Sequence, residues 1–302
     1  MQAMLRGDFT AAWRISDSIQ RQRRNRGEIC THWPRHQQFI WDGTPLDGKR
    51  VLVRCYHGLG DTIQFVRLLP LLRARVQRIT LWVQPQLLKL LTQIEGVDEL
   101  LPLHDGAPEA EYDADIELME LPYALRLQVA DIPQQVPYIR VPTLDPGPRH
   151  SLRIGLVASA GEWNPQRSIA HELLRPLACV SEARWFSLQF PKAQPPFEMP
   201  CLSCADIGAM AARMRTLDLI ISVDTMHAHL AGALGIATWL LLQRQPDWRW
   251  MSERTDSPWY PTMRLFRQQR SDDWSQVMNE VSQELRTLIR ARDIRSTGCT
   301  AS

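Results

Sequence analysis

The chain predicts an α/β protein made of two Rossmann-like halves with parallel sheets, preceded by a short helical N-terminal stub. Three observations lead there. Short apolar, β-branched runs alternate with amphipathic segments from Lys49 onward. The alternation breaks once, at "VPTLDPGPRH" (141–150), a proline-rich stretch of linker composition, and then resumes. The length of 302 residues also matches about two domains of ~150 residues. The expected boundaries are 1–40 for the stub, 41–145 for the first half and 146–302 for the second.

Each element has its own reason. Met4, Leu5, Phe9, Ala12, Trp13 and Ile15 repeat at nearly helical spacing, so 1–28 reads as helix. Turn signals at Trp41-Asp42-Gly43 and Pro45-Leu46-Asp47-Gly48 precede the first strand. Strand 50–55, helix 62–76, strand 78–84, helix 85–94, a short strand in 97–103 and the segment 112–125 make the first alternating run. The second run has strand 152–158, helix 170–180, strand 184–189, helix 205–214, strand 217–223, helix 225–234 and strand 237–242. A closing helix over 274–292 carries Val277, Val281, Leu285, Leu288 and Ile289 on one stripe. Strands alternating with helices at this spacing belong to parallel sheets covered on both faces. Two such halves leave a cleft, with ligands expected at the carboxyl ends of the strands.

Composition narrows the function. An apolar fraction of 44% supports a packed core, and a net charge of +2 makes no electrostatic case for nucleic acid. Arg21, Arg23, Arg24 and Arg26 form one basic cluster, read as a solvated helix end or, alternatively, an anionic-membrane or acceptor patch. No run approaches the ~20 apolar residues of a membrane span, and the N-terminus lacks the layout of a signal peptide. Cys201 and Cys204 form a lone C-x-x-C among six cysteines, without a second ligand pair for zinc. Cytoplasmic residence is the expectation.

Four stretches have the residue types for chemistry. In "HGLGD" (57–61), Gly58 and Gly60 open a G-x-G-x-x-G pattern, but Ile63 takes the third place. The second strand ends at Gln84 where a ribose-binding acid is expected, so a dinucleotide site is disfavoured. "ISVDTMHAHLAGALG" (221–235) runs a strand into a helix start, where free N–H groups, the helix dipole and the Thr225 hydroxyl suit an anion; Asp224 alternatively serves as N-cap. Arg167 and Ser168 lie in the loop "SAGEWNPQRS" (159–168), where a guanidinium could reach a diphosphate or simply sit on the surface. In "DWRWMSERTDSPWYP" (247–261), Trp248, Trp250, Trp259 and Tyr260 either flank a base or sugar or pack a long loop. Asp113-Ala114-Asp115 has the D-x-D spacing of metal-dependent sugar transfer, but reads better as two acids on a strand end.

Taken together, "HGLGDTIQFVRLLPLL", "LDLIISVDTMHAHLAGALG" and "DWRWMSERTDSPWYPTMRLFRQ" resemble bacterial glycosyltransferases of the heptosyltransferase-like group, nearest to those fused to tetratricopeptide repeats. The similarity runs from about Trp41 to Val277, and "MLRGDFTAAWRISDSIQRQ" resembles the last repeat helix that precedes such domains.

The resemblance implies a GT-B architecture and metal-independent, inverting transfer from a nucleotide-sugar, with no cofactor. It makes Asp61 the general base, with His57, Gly58, Gly60 and Thr62 on the acceptor side. The donor would be held by Arg167, Ser168, Asp224, Thr225, Met226 and His227, and Gln243, Asp247 and Trp248 are candidate base or sugar contacts. Arg167 stands where heptosyltransferases supply lysine, a departure, since arginine is no proton donor to a leaving group. ADP-heptose is the first donor expected, UDP-sugars the next, with a glycan, lipopolysaccharide core or protein as acceptor. The other reading is a degenerate GT-B domain that binds a nucleotide-sugar or a partner without transfer.

Overall fold

The computed structural model describes residues 1–147, 151–161, 164–180, 182–189 and 194–298. Part of the expected linker (148–150) and Glu162 and Trp163 of the 159–168 loop lie outside the described residues. The chain forms two compact units. The first holds Met1–Val141 with Asp247–Arg254 and Pro258–Pro261; the second holds Pro142–Pro246, Thr255–Ser257 and Thr262–Ser302.

In the first unit, helices α1 (Gln2–Leu5) and α2 (Phe9–Arg26) replace the single helix expected over 1–28. Gly7 adopts φ +73° between them, and the Asp8 carboxylate accepts from Ala11 N at 2.9 Å to start α2. Phe9 is fully buried and Trp13 Nε1 donates to Leu127 O at 2.8 Å, so the helical segment packs as part of this unit. Arg23 of the basic cluster lies 3.9 Å from the Phe39 ring centre. A cavity of about 700 Å³ opens between α2 and the segment 27–42, over Glu120 and Tyr123.

Strands β1 (Arg50–Arg54), β2 (Arg78–Val83), β3 (Glu99–Pro102) and β4 (Ala114–Glu117) make a parallel sheet in the order β3-β2-β1-β4. Val51, Leu52, Val53, Ile79, Leu81 and Val83 are buried, which explains their unbroken apolar runs. The helix expected over 62–76 begins three residues early and is broken: α3 (Leu59–Phe65), a 3-10 turn at Val66–Leu68, then α4 (Leu69–Arg73). Pro70 supplies the reason, because it has no N–H to bond the Val66 carbonyl. The helix expected over 85–94 is a correction too. Only a 3-10 turn at Pro85–Leu87 and irregular turns form there, and these suffice to bury Leu87, Leu90 and Leu91. Helix α5 (Leu121–Ala124) follows β4.

The second unit is built on β5 (Leu152–Val157), α6 (His171–Leu174), β6 (Ala183–Ser187), α7 (Ile207–Met214), β7 (Leu219–Val223), α8 (Met226–Ala233), β8 (Thr238–Leu242), β9 (Met263–Arg267) and α9 (Trp274–Gly298). Its five strands are all parallel, in the order β6-β5-β7-β8-β9. Strand β9 was not expected from the sequence. Helix α6 stops where Pro176 interrupts the ladder, and a 3-10 turn completes Arg175–Cys179. A Cβ on Gly155 of β5 would lie 2.7 Å from both Leu188 and Leu217 side chains, so any larger residue there would make both leucine ends shift. Val277, Val281, Leu285 and Ile289 of α9 are buried as their spacing predicts, while Leu288 is 38% exposed.

No helix among the described residues is long and apolar enough to cross a membrane.

Candidate functional site

On the first unit the carboxyl ends of β1 and β4 lead into a small polar cluster. Strand β1 continues through Tyr56 and His57 to Gly58, the extended residue that starts α3. Asp61 sits in the first turn of α3, where its Oδ2 accepts from Gly58 N at 2.9 Å. A Cβ on Gly58 would come within 3.1 Å of that same oxygen, so glycine keeps the space beside the carboxylate open. Gly60 lies inside this turn. Thr62 is buried and donates from Oγ1 to Gln84 Oε1 at 3.0 Å, while Gln84 Nε2 donates to His57 O at 2.8 Å. In this structure the Thr62 hydroxyl braces the loop.

Two further charges meet Asp61 and His57. Arg249 Nη2 lies 2.7 Å from Asp61 Oδ1, with the arginine side chain 7% exposed and the aspartate 24% exposed. His57 Nδ1 stands 3.0 Å from Oε1 of Glu117, the last residue of β4. Burial works against protonation of His57, but Glu117, with help from Asp61, outweighs it and raises the imidazole above its ordinary value. Glu117 is itself buried and accepts from Tyr56 N and Met119 N.

The second unit carries the other cluster. Helix α8 starts one residue later than expected, with Thr225 as N-cap. Asp224, weighed as the cap, is instead buried with its carboxylate 3.6 Å from Arg167 Nη1 and 3.7 Å from His229 Nε2. Arg167 Nη1 also donates to Asp224 O at 3.3 Å, so the loop arginine and the strand-to-helix turn lie together. The Thr225 hydroxyl is 3.5 Å from both Ser222 Oγ and His227 Nδ1. Burial alone drives His227 down to about 4, which keeps the imidazole neutral at pH 7. Met226 is half-buried at the helix start. Ser168 Oγ accepts from Ala160 N at 3.0 Å and Gln189 bonds Ala158 and Ser159, which ties the two ends of the loop together.

The remaining candidates divide between the two units. Gln243 follows β8 and donates to Gln245 O at 2.8 Å. Asp247 and Trp248 were placed in the second half by the sequence reading, yet they belong to the first unit. The reason is aromatic packing. Trp248 stacks on Phe65 at 6.2 Å and meets Phe9 and Trp259 edge-on, while Trp250, Trp259 and Tyr260 are fully buried. These rings form the core of a returning segment.

The D-x-D pair is engaged by arginines. Asp113 bonds Arg50 and is held well below the usual carboxylate range by it, and Asp115 Oδ2 lies 2.6 Å from Arg54 Nη2. Among the described residues no group of three or more His, Cys, Asp or Glu side chains is arranged to hold a metal ion.

No family model matches the chain, and no curated protein matches it in sequence. Solved structures do match in fold. The chain covers 99% of the E. coli ADP-heptose lipopolysaccharide heptosyltransferase II over 81% of its own length, with a TM-score of 0.59 and 14% identity. It covers 99% of an E. coli heptosyltransferase bound to ADP-2-deoxy-2-fluoro heptose over 79% of itself, at TM-score 0.54 and 14% identity. A family 9 glycosyltransferase from Veillonella parvula matches over 74% of this chain and 87% of its own, at TM-score 0.54 and 13% identity.

The fold is heptosyltransferase-like. In this heptosyltransferase-like chain, Asp61 and its partners stand on the first unit, and Arg167 with the start of α8 on the second. Two residues of the first cluster were missed by sequence reasoning. Glu117 is buried at a strand end, and nothing local distinguishes it from an ordinary acid. Arg249 had a signal, since it lies inside the "DWRW" motif between two residues that were singled out.

Proposed function

We propose that the chain is an inverting, metal-independent glycosyltransferase that uses a nucleotide-diphosphate sugar, with ADP-heptose as the first candidate donor. The observation that carries this reading is Asp61: a carboxylate fixed in the first turn of a helix at the carboxyl edge of a parallel sheet, yet still open to a ligand. The heptosyltransferase-like fold supports it.

In the proposed reaction the acceptor hydroxyl oxygen bonds to the anomeric carbon of the sugar. The bond from that carbon to the diphosphate oxygen breaks, and Asp61 takes the hydroxyl proton. The departing diphosphate gathers negative charge, which Arg167 and the positive end of the α8 dipole neutralise. Attack opposite the leaving group inverts the anomeric centre. His57, held toward its protonated form by Glu117, offers a hydrogen bond beside the acceptor. The acceptor is a glycan, a lipopolysaccharide core or a protein hydroxyl, and the reaction runs in the cytoplasm, where nucleotide-sugars are made.

The test is Asp61→Asn assayed for transfer from ADP-heptose and from UDP-sugars. Turnover should fall by roughly 10²–10⁴-fold, the usual contribution of a general base, with nucleotide binding retained. Near-wild-type turnover in the variant would remove Asp61 from this role. A second reading, nucleotide-sugar binding without transfer, draws on Arg249 already occupying the Asp61 carboxylate; wild-type protein that binds nucleotide-sugar and never transfers it would favour this.

A further inference from the structure

The geometry points to Arg249 as the positioning residue of Asp61: a buried guanidinium, delivered by the returning segment 247–254, that fixes the plane of the base's carboxylate. This rests on the reading of Asp61 as the base.

Three bonds define the guanidinium. Nη2 meets Asp61 Oδ1 at 2.7 Å, Nε meets Asp247 Oδ1 at 2.8 Å, and Nη1 donates to Gln64 Oε1 at 2.8 Å. Because the fork is planar and rigid, three partners leave it no freedom to turn. The carboxylate is then held at both oxygens, Oδ1 by Arg249 and Oδ2 by Gly58 N at 2.9 Å. Each carboxylate oxygen accepts two hydrogen bonds, so a lone pair remains on each for a substrate proton.

The segment that brings Arg249 is anchored on the same unit. Ser252 N donates to Leu5 O at 2.8 Å and Gln134 Nε2 donates to Pro258 O at 2.6 Å. Arg67 donates to Trp259 O, and its guanidinium carbon lies 4.3 Å from the Tyr138 ring centre and 4.8 Å from that of Tyr260. A buried arginine with one carboxylate from its own turn and a second from α3 is costly to place. A structural latch would be complete with Asp247 and Gln64 alone. The third bond goes to Asp61, which is 24% exposed, as against 28% for Asp247 and a fully buried Gln64.

The experiment compares wild type with Arg249→Met, Arg249→Lys, Asp61→Asn and the double variant Asp61→Asn/Arg249→Met. Transfer is read as nucleoside diphosphate released from ADP-heptose or UDP-sugars, with lipopolysaccharide inner core as acceptor, and ADP affinity is measured separately. Arg249→Met should lose roughly 100-fold in kcat, the scale of a misplaced reacting group, with ADP affinity within about twofold. Arg249→Lys keeps the charge but not the fork, so it should recover part of that loss. The double variant should be no slower than Asp61→Asn, because both changes act through one group. Wild-type kcat in Arg249→Met, a fully additive double variant, or an unchanged kcat in Arg249→Lys when the methionine variant does not fold would each overturn the inference. If Asp61→Asn is inactive while Arg249→Met is not, only the inference fails. If Asp61→Asn keeps wild-type turnover, or wild type transfers none of these donors, the reading of the base fails and the inference with it.

Discussion

His57 Nδ1 stands 3.0 Å from Glu117 Oε1, so a loop histidine beside Gly58 is tied to the buried end of the neighbouring strand. The two come together because β1 and β4 are paired in register, with Arg54 opposite Glu117. Asp61 adds to the negative field at His57 and Arg249 opposes it, so the imidazole reports the charge state of the whole cluster.

That coupling sets a pH dependence. Glu117 and Asp61 raise His57 above 6.5 in the folded chain, against the opposing effect of burial. A group raised on folding stabilises fully below its unfolded value and loses that contribution as pH rises through the folded value. Wild type should therefore exceed His57→Gln in melting temperature below about pH 6.5, and the gap should close as pH rises above that. A gap that is constant or widens with pH would disprove the coupling.

His227 acts with the opposite sign. Burial lowers it from 6.5 to about 4, so its contribution is present above pH 6.5 and is lost as pH falls toward 4. The full loss is on the order of 3 kcal/mol. Urea titrations of wild type and His227→Gln at pH ~7 and ~4 should show a smaller acid loss in the variant.

Arg167 is expected to carry nucleotide affinity. Arg167→Ala should weaken ADP binding roughly 10- to 100-fold by calorimetry, the scale of one charge-assisted contact. Lysine at this position should restore part of it. Unaltered ADP affinity in the alanine variant would place the diphosphate elsewhere.

Metal removal should leave transfer unchanged. Asp113 and Asp115 are paired with Arg50 and Arg54, and Arg167 with the α8 start offers charge for the diphosphate. Turnover in excess chelator, and in Asp113→Asn/Asp115→Asn, should stay within about twofold of wild type. Loss in chelator, restored by a divalent ion, would assign the reaction to a metal-dependent class.

The sequence by itself determined the parallel strands other than β9, and it placed both helix starts that matter for the site to within three residues. Runs such as Val51–Val53 and Leu219–Val223 are apolar at nearly every position, which only a sheet covered on both faces accommodates. Gly58 to Asp61 and Asp224 to Met226 follow such strands directly, so local chemistry marks where each helix begins. Proline was legible but underweighted: Pro70 and Pro176 divided helices that periodicity had drawn whole.

Only the tertiary structure decided the partners. Asp61–Arg249, His57–Glu117 and Arg167–Asp224 join residues distant in sequence, and each pairing depends on strand register or on where a loop returns. The segment 247–261 shows the reason most clearly. Its tryptophans and tyrosine are apolar enough to pack in either half of the chain, and local pattern carries no address for them. Burial against Phe9 and Phe65 assigns Trp248 to the first unit, and Arg249 arrives at Asp61 with it.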